Sequence, residues 1–149
     1  MLIQIAIGSG LLLASILIAA ISAWAMEVMF LRGHDWLMRE PHRPKLMVLI
    51  SGVSLWILGI ITAGVWLWAG ALYSLGIFYT FEESVYFAIV SYTTLGFGDV
   101  LLPKEWRLLA GMAAANGLLN FGLLTALLVE ALRHVRLGQV ETRRNASGK

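Results

Sequence analysis

A short glycine-containing segment, residues 91–99, carries the residue types best suited to chemistry in this chain; its sequence is SYTTLGFGD. Gly96 and Gly98 alternate with larger residues, and glycine adopts a positive φ angle with little steric strain. If successive residues alternate in handedness, their carbonyl oxygens turn toward one axis, where they can replace the water around a cation. The hydroxyl of Thr94 can add a further oxygen at the inner end. The segment therefore indicates a site that binds cations through oxygen atoms of the backbone.

Several other kinds of site are excluded by composition and spacing. The chain has no cysteine, so disulfides, thiolate metal sites and cysteine nucleophiles are ruled out. Its three histidines share no ligand spacing with an acidic cluster, so no metal site is expected at His34, His42 or His134. No intramembrane histidine, serine–base pair or metal cluster is visible, so we expect the chain not to be an enzyme and to have no cofactor.

The elements that position this segment belong to a membrane protein. Hydrophobic residues make up 59% of the chain and charged residues 13%, with a mean hydropathy of +0.79. The formal net charge is +2, and the Lys and Arg residues lie beside apolar spans instead of forming a patch of their own. We therefore expect a lipid bilayer around the chain and no nucleic-acid partner.

Three apolar stretches are long enough to cross a bilayer, which takes roughly 20 residues of helix. They cover residues 1–26, 46–73 and 108–132. A cleaved signal peptide is the competing interpretation of the first stretch, but this stretch lacks a basic amino end and its apolar run is too long. Residues 81–94 are too short and too polar to span the bilayer. The sequence thus predicts an all-α membrane protein with three transmembrane helices per chain and a re-entrant segment between the second and third.

Basic residues indicate which ends of the spans face the cytoplasm. Residues 27–45 contain four Lys or Arg, residues 133–149 contain five, and residues 74–107 contain two. Positive charge accumulates on the cytoplasmic side of membrane proteins. We therefore expect the chain in the cell (inner) membrane, with its amino terminus outside and its carboxyl terminus in the cytoplasm. Residues 27–45 are predicted to form a cytoplasmic loop, because Pro41 and Pro44 interrupt helices. Residues 133–149 are predicted to form a basic cytoplasmic tail.

The segment TTLGFGD at residues 93–99 resembles the selectivity filter of potassium channels, usually written TTVGYGD. Leu95 stands where valine is usual and Phe97 where tyrosine is usual, and the GFGD form also occurs in two-pore-domain potassium channels. The resemblance implies that Asp99 braces the filter and charges its outer mouth, and that permeant K⁺ is the only bound metal. It implies that these ions are held by Thr94, Leu95, Gly96, Phe97 and Gly98.

The resemblance covers residues 46–132, the expected pore domain. It implies an additional transmembrane helix at 1–26, an outer helix at 46–73, a pore helix at 82–93, a filter at 94–99 and an inner helix at 108–132. The stretch GLLNFGLLTA lines up with the inner helix of simple two-span bacterial potassium channels and puts Gly117 at the hinge position. The alignment gives the cavity lining as Leu118, Phe121 and Thr125.

Asn116 and Asn120 lie four residues apart, on a face of the third span away from the expected cavity lining. We expect this pair to hydrogen-bond neighbouring helices, because polar side chains in a membrane join helices to one another. Cavity lining by the pair is the alternative interpretation.

The usual hydrogen-bond partners behind the filter are expected to be missing. Val90 stands where some family members have a buried carboxylate, Phe87 stands where a tryptophan donor is frequent, and Phe97 has no hydroxyl. With fewer hydrogen bonds to its surroundings, the filter is expected to be less rigid and less selective. Glu82 and Glu83, at the start of the expected pore helix, either offset the helix dipole or attract cations at the mouth.

The resemblance implies passive K⁺ conduction by a homotetramer, because each chain supplies one filter strand and four are needed around the axis. Two alternatives stay open: a poorly selective cation channel, since Leu95 and Phe97 alter packing around the carbonyl rings, and a non-conducting membrane subunit that retains the filter. No span carries a repeated Arg or Lys series, so a voltage sensor of the usual kind is not expected.

Overall fold

The computed structural model describes residues 1–38 and 42–147. These residues form α1 (Leu2–Met38), α2 (His42–Ser74), α3 (Phe81–Tyr92) and α4 (Arg107–Ser147), with a 3₁₀ turn, Lys104–Trp106, before α4. No strand forms within these two ranges, which confirms the predicted all-α fold.

Three helices are long and apolar enough to cross a membrane, and the stretches concerned are Leu2–Met29, Met47–Ser74 and Lys104–Glu130. Helix α3 lies between the second and third of them and has 12 residues. A helix of that length is about 18 Å long, which is too short to span a bilayer. The predicted arrangement of three spanning helices with a short helix before the last one is therefore correct.

All three spanning helices continue beyond their membrane-crossing parts. Helix α1 runs to Met38 and α2 begins at His42, so the loop predicted over 27–45 is wrong for residues 27–38 and 42–45, and the basic tail at 133–149 continues α4 as far as Ser147. Polarity ends the apolar span but not the helix, because the extensions of α1 and α4 contain no proline and Pro44 lies in the first turn of α2, where proline is tolerated.

Helices α1 and α4 run parallel and in a constant register. The amide of Leu108 donates to Gln4 Oε1 and the side-chain amide of Asn120 donates to Ser15 Oγ, so the partners are 104 and 105 residues apart. Since both helices cross in the same direction, the start of α1 lies on the same side as the start of α4. The structure thereby places the first helix, whose packing site the sequence does not indicate.

The buried face of α1 is made of small or polar residues. Gln4, Gly8, Ser15, Ala19 and Met26 are buried and recur with an 11-residue period. That period is close to the helical repeat, so one face of a nearly straight helix stays against its neighbours. Small residues let helix backbones approach within a membrane, where apolar packing alone gives little preference for one neighbour.

Helix α3 is wedged between α2 and α4. The core around it is apolar and draws on all three helices, through Trp68, Ala69, Leu72, Phe87, Ala88, Tyr92, Leu109 and Ala113. Burial of this set fixes the direction in which α3 points, and therefore where the following segment, residues 93–99, begins.

Candidate functional site

The amino end of α3 is capped by a side chain. Thr80 has extended backbone angles, and its hydroxyl accepts a hydrogen bond of 3.2 Å from the amide of Glu83. Threonine followed three residues later by glutamate is the sequence pattern of a capping box. Glu82 and Glu83 lie in the first turn, where negative charge offsets the positive end of the helix dipole. Helix α3 spans 81–92, one residue earlier at each end than the predicted pore helix.

The carboxyl end of α3 is closed by the backbone of the residues that follow it. The amide of Leu95 donates to Val90 O (3.0 Å) and the amide of Thr94 donates to Ser91 O (2.9 Å), while Thr94 has a φ angle of +58°. These two bonds around one left-handed residue form a Schellman motif. The amide of Gly96 also donates to Val90 O, at 3.3 Å. The segment 93–99 therefore begins inside the cap of α3.

The handedness of the backbone alternates along the segment. Positive φ angles occur at Thr94 (58°), Gly96 (58°) and Gly98 (77°), and the residues between them do not share this conformation. The sequence predicts a positive φ angle at Gly96 and Gly98, but not at Thr94. For a β-branched residue such an angle is an outlier, and it persists only where the surrounding structure holds it.

The open side of the segment consists of backbone oxygens and apolar side chains. Among the hydrogen bonds of the described residues, none is accepted by a carbonyl of Thr94 through Gly98. Leu95 and Phe97 are 55% and 67% exposed in the single chain. The amides of residues 93–96 point back to α3, so the carbonyl oxygens of this strand are left available to a ligand.

Asp99, at the end of the segment, has a partner that sequence reasoning missed. The hydroxyl of Tyr86 on α3 donates to Asp99 Oδ2. This hydrogen bond is the main cause that lowers the pKa of Asp99 and raises the pKa of Tyr86. The usual donors at positions 87 and 90 are absent, as expected from the sequence, but Tyr86, one residue before Phe87, supplies a donor that was not predicted. A tyrosine four residues before Val90, and so on the same face of α3, was the available signal.

Gly117 lies where α4 approaches the end of α3 most closely. A Cβ atom on Gly117 would overlap the carbonyl oxygen of Tyr92. The close contact therefore explains why a glycine occupies position 117, whether or not α4 bends there. The hinge role implied by the resemblance stays a prediction.

The two faces of α4 differ as the sequence analysis expects. Asn116 and Asn120 are buried, and the Asn120 side-chain amide donates to Ser15 Oγ on α1, so the expected bond to a neighbouring helix is confirmed for Asn120. Among the described residues, the side chain of Asn116 is hydrogen-bonded only to Asn120 of the same helix. Leu118, Phe121 and Thr125 are exposed on the other face. Their role as cavity lining stays a prediction.

The described part of the chain contains no group of three or more His, Asp or Glu residues that could hold a resident metal ion. The side chains of His34, His42 and His134 lie outside the described residues.

A family model described as “Ion channel” matches residues 47–134, which is more than half of the chain. No curated protein and no solved structure matches the chain. The matched range includes most of α2, all of α3, the segment 93–99 and the spanning part of α4, and it leaves α1 out. An ion channel is not an enzyme, in agreement with the expectation from sequence. The chain therefore belongs to this ion channel family and is a multi-pass membrane protein with three spanning helices.

Proposed function

We propose that the chain is the subunit of a potassium-selective channel that conducts K⁺ passively through residues 94–98. The observation that carries the proposal is the alternation of φ at Thr94, Gly96 and Gly98 together with carbonyl oxygens that accept no hydrogen bond from the described residues. Backbone oxygens arranged in rings replace the hydration shell of K⁺. The permeant ion is the only metal required, and no cofactor takes part.

The working unit is a homotetramer. One chain supplies one strand of the filter, so rings of oxygen around an axis require several copies, four in channels with a filter of this type. The exposure of Leu95 and Phe97, and of Leu118 on α4, supports the assembly, because neighbouring chains or a central cavity would meet these side chains. Asp99, held by Tyr86, would place negative charge at the outer mouth, and Thr94 would contribute the innermost ring.

The proposed orientation in the cell membrane puts the amino terminus outside and the end of α4 in the cytoplasm. It follows from the basic residues of 27–45 and 133–149. Since the chain has no cysteine, a single introduced one reports its side. Tyr79→Cys should react with a membrane-impermeant maleimide applied to intact cells, and Arg133→Cys should react only after permeabilisation. The reverse pattern would overturn the orientation without affecting conduction.

The test of conduction is cation flux through the purified protein in liposomes, compared for K⁺ and Na⁺. We expect K⁺ flux well above Na⁺ flux, and its loss in Gly96→Val, because a β-branched residue cannot adopt the positive φ at this position without strain. Gly59→Val is the matched control, since Gly59 is exposed on α2 and a Cβ there meets no atom within 4 Å.

The other outcomes separate the alternatives. Equal K⁺ and Na⁺ flux would indicate a poorly selective cation channel, in which Leu95 and Phe97 loosen the packing around the filter. No flux from the wild-type protein would indicate a non-conducting membrane subunit. A native mass other than that of four chains would contradict the tetramer.

A further inference from the structure

Tyr92, the last residue of α3, contacts the pore domain through both its backbone and its ring. Its side chain is fully buried, and its ring meets Phe121 of α4 edge-on, with centroids 6.3 Å apart. A Cβ on Gly64 of α2 would lie 2.5 Å from the Tyr92 hydroxyl, and a Cβ on Gly117 of α4 would overlap its carbonyl oxygen. Two glycines on two spanning helices thus make room for this one residue.

The additional helix α1 reaches the same place through Ser15. Ser15 Oγ accepts a hydrogen bond of 3.0 Å from the Asn120 side-chain amide, which also donates to the Asn116 backbone and side-chain oxygens at 3.0 Å. The hydroxyls of Ser15 and Tyr92 lie near each other but do not form a hydrogen bond. We call Ser15, Tyr92, Asn116 and Asn120 the filter-support cluster.

The members of the filter-support cluster are almost completely shielded from the surroundings, with exposed fractions of 3%, 0%, 0% and 2% in that order. Tyr92 Oη and Asn116 Nδ2 are buried without a hydrogen-bond partner among the described residues. Polar groups placed in a membrane interior are unfavourable unless they join helices, and each bond there also fixes the height of one helix against another. The bond between Asn120 and Ser15 therefore fixes α1 against α4, and the close packing of Tyr92 against Gly117 and Phe121 fixes α3 at the same level.

That level is the start of the filter. Tyr92 lies two residues before Thr94, whose positive φ is strained for a β-branched side chain. Such a conformation persists only when neighbouring structure over-determines it, and the neighbour that the cluster holds is the end of α3. A change in the packing of α1 on α4 would therefore alter the conformation of Thr94, where α3 ends and the filter begins.

We propose that Ser15 is a positioning residue for the filter: through Asn120 it holds α4 against Tyr92 and so keeps the first turn of the filter in its alternating conformation. The additional helix α1, which lies outside the range matched by the ion channel family, is then a working part of the pore and not a shield against lipid. The inference rests on the proposed function for its flux measurement, but not for its structural one.

The structural measurement is hydrogen–deuterium exchange of the amides of residues 93–96 in the full-length protein. These amides donate to carbonyls of α3, so they report whether the cap at the start of the filter is closed. Ser15→Ala removes one hydroxyl and leaves Asn120 with its two bonds to Asn116, so the variant should fold. We expect about fivefold faster exchange at 93–96, the factor corresponding to the loss of one hydrogen bond.

Gln4→Leu is the matched control. It also removes a hydrogen bond between α1 and α4, but at the start of α4, 11 residues away from Ser15 on α1 and away from Tyr92. It should lower thermal stability as much as Ser15→Ala does, while exchange at 93–96 stays at the wild-type rate. Equal rates at 93–96 in the wild type, Gln4→Leu and Ser15→Ala would overturn the inference, whether or not the protein conducts.

The flux measurement is the ratio of K⁺ to Na⁺ permeability in liposomes. We expect this ratio to fall several-fold in Ser15→Ala and to stay unchanged in Gln4→Leu. If the wild type is selective and Ser15→Ala is equally selective, the proposed function stands and the positioning role of Ser15 is refuted. If the wild type does not conduct, the proposed function fails, and hydrogen exchange alone decides the role of Ser15.

Discussion

The two ends of α3 use the same residue type in opposite ways. Thr80 caps the amino end with φ −120° and ψ 148°, a relaxed extended conformation, and uses its side chain to accept the Glu83 amide. Thr94 closes the carboxyl end with φ +58°, and the bonds there are formed by backbone amides. The first end is stabilised locally. The second tolerates strain because the alternation that continues through Gly96 and Gly98 has to start at this residue.

The difference implies that the amino end of α3 is stabilised by residues next to it in the sequence. The carboxyl end depends on the packing of α4 against Tyr92. The dependence of the carboxyl end on packing is tested most directly by a substitution that crowds the contact between α4 and Tyr92. In Gly117→Ala the new methyl group would overlap Tyr92 O, so we expect destabilisation of about 3 kcal/mol, the upper part of the range for overpacked interiors. The midpoint of unfolding in detergent measures it.

Gly111→Ala is the control for this change, since Gly111 is also in α4 but a Cβ there meets no atom within 4 Å. It should be neutral or slightly stabilising, because alanine favours helix over glycine. If Gly117→Ala behaved like Gly111→Ala, the close approach of α4 to Tyr92 would be wrong.

Substitution of each threonine in turn tests the difference between the two ends of α3. Thr94→Gly should stabilise the isolated fold by about 1 kcal/mol, because relief of the strained φ outweighs the larger backbone entropy of glycine. Thr80→Ala should destabilise it by about 1 kcal/mol through loss of the cap. Unfolding midpoints of the two variants should therefore move in opposite directions; a shift of the same sign would refute the assignment of strain to Thr94.

Thr94→Gly should also reduce K⁺ selectivity if the proposed function is right, since the innermost ring loses its hydroxyl oxygens. The K⁺-to-Na⁺ flux ratio tests this, and Thr80→Ala, which leaves the filter backbone unchanged, should keep the wild-type ratio. A stabilised and fully selective Thr94→Gly protein would remove Thr94 from the proposed ion sites.

The smallest effect is expected at the exposed end of the segment, from Tyr86→Phe. The hydrogen bond lowers the pKa of Asp99, so its stabilisation is present above the ordinary aspartate pKa of about 3.9 and is lost as pH falls through the lowered value. It raises the pKa of Tyr86, so stabilisation is present below about pH 10 and is lost as pH rises through the raised value.

Stability should therefore vary less with pH at both extremes in Tyr86→Phe than in the wild type, and thermal unfolding across pH measures this. Tyr79→Phe is the control, because Tyr79 is almost fully exposed and no hydrogen bond of its hydroxyl is found among the described residues. Identical pH profiles for Tyr86→Phe and the wild type would contradict the contact with Asp99.

Local pattern predicted the elements of this protein better than it predicted their contacts. Hydropathy and length identified the three spans, and the glycine spacing identified the alternating segment, because both depend on neighbouring residues. The partner of Asp99 was not predicted, because Tyr86 lies 13 positions earlier in the chain, at a position where the resemblance implies no donor. The positive φ of Thr94 was not predicted, because a β-branched residue disfavours it and the contact of Tyr92 with Gly117 joins residues that are distant in the chain.

The mostly apolar sequence of α1 did not indicate its hydrogen bonds to α4. Gln4 and Ser15 read as interruptions of a hydrophobic stretch, yet each hydrogen-bonds α4. Their partners are more than a hundred residues away, so no local period could reveal the pairing. The ends of α1 and α4 were predicted too early for a related reason: polarity marks where a membrane ends, but a helix can continue through polar residues where no proline interrupts it.

The constant register between α1 and α4 also sets an order of events during biosynthesis. At 5 to 20 residues per second, α1 is made roughly 5 to 20 s before the stretch of α4 that carries its partners, 104 and 105 positions later. Throughout that interval Gln4 and Ser15 face lipid or temporary neighbours. The fold of each chain is thus completed only when α4 packs alongside α1, and a chain released before α4 is made would lack the hydrogen bonds that hold α1 to it.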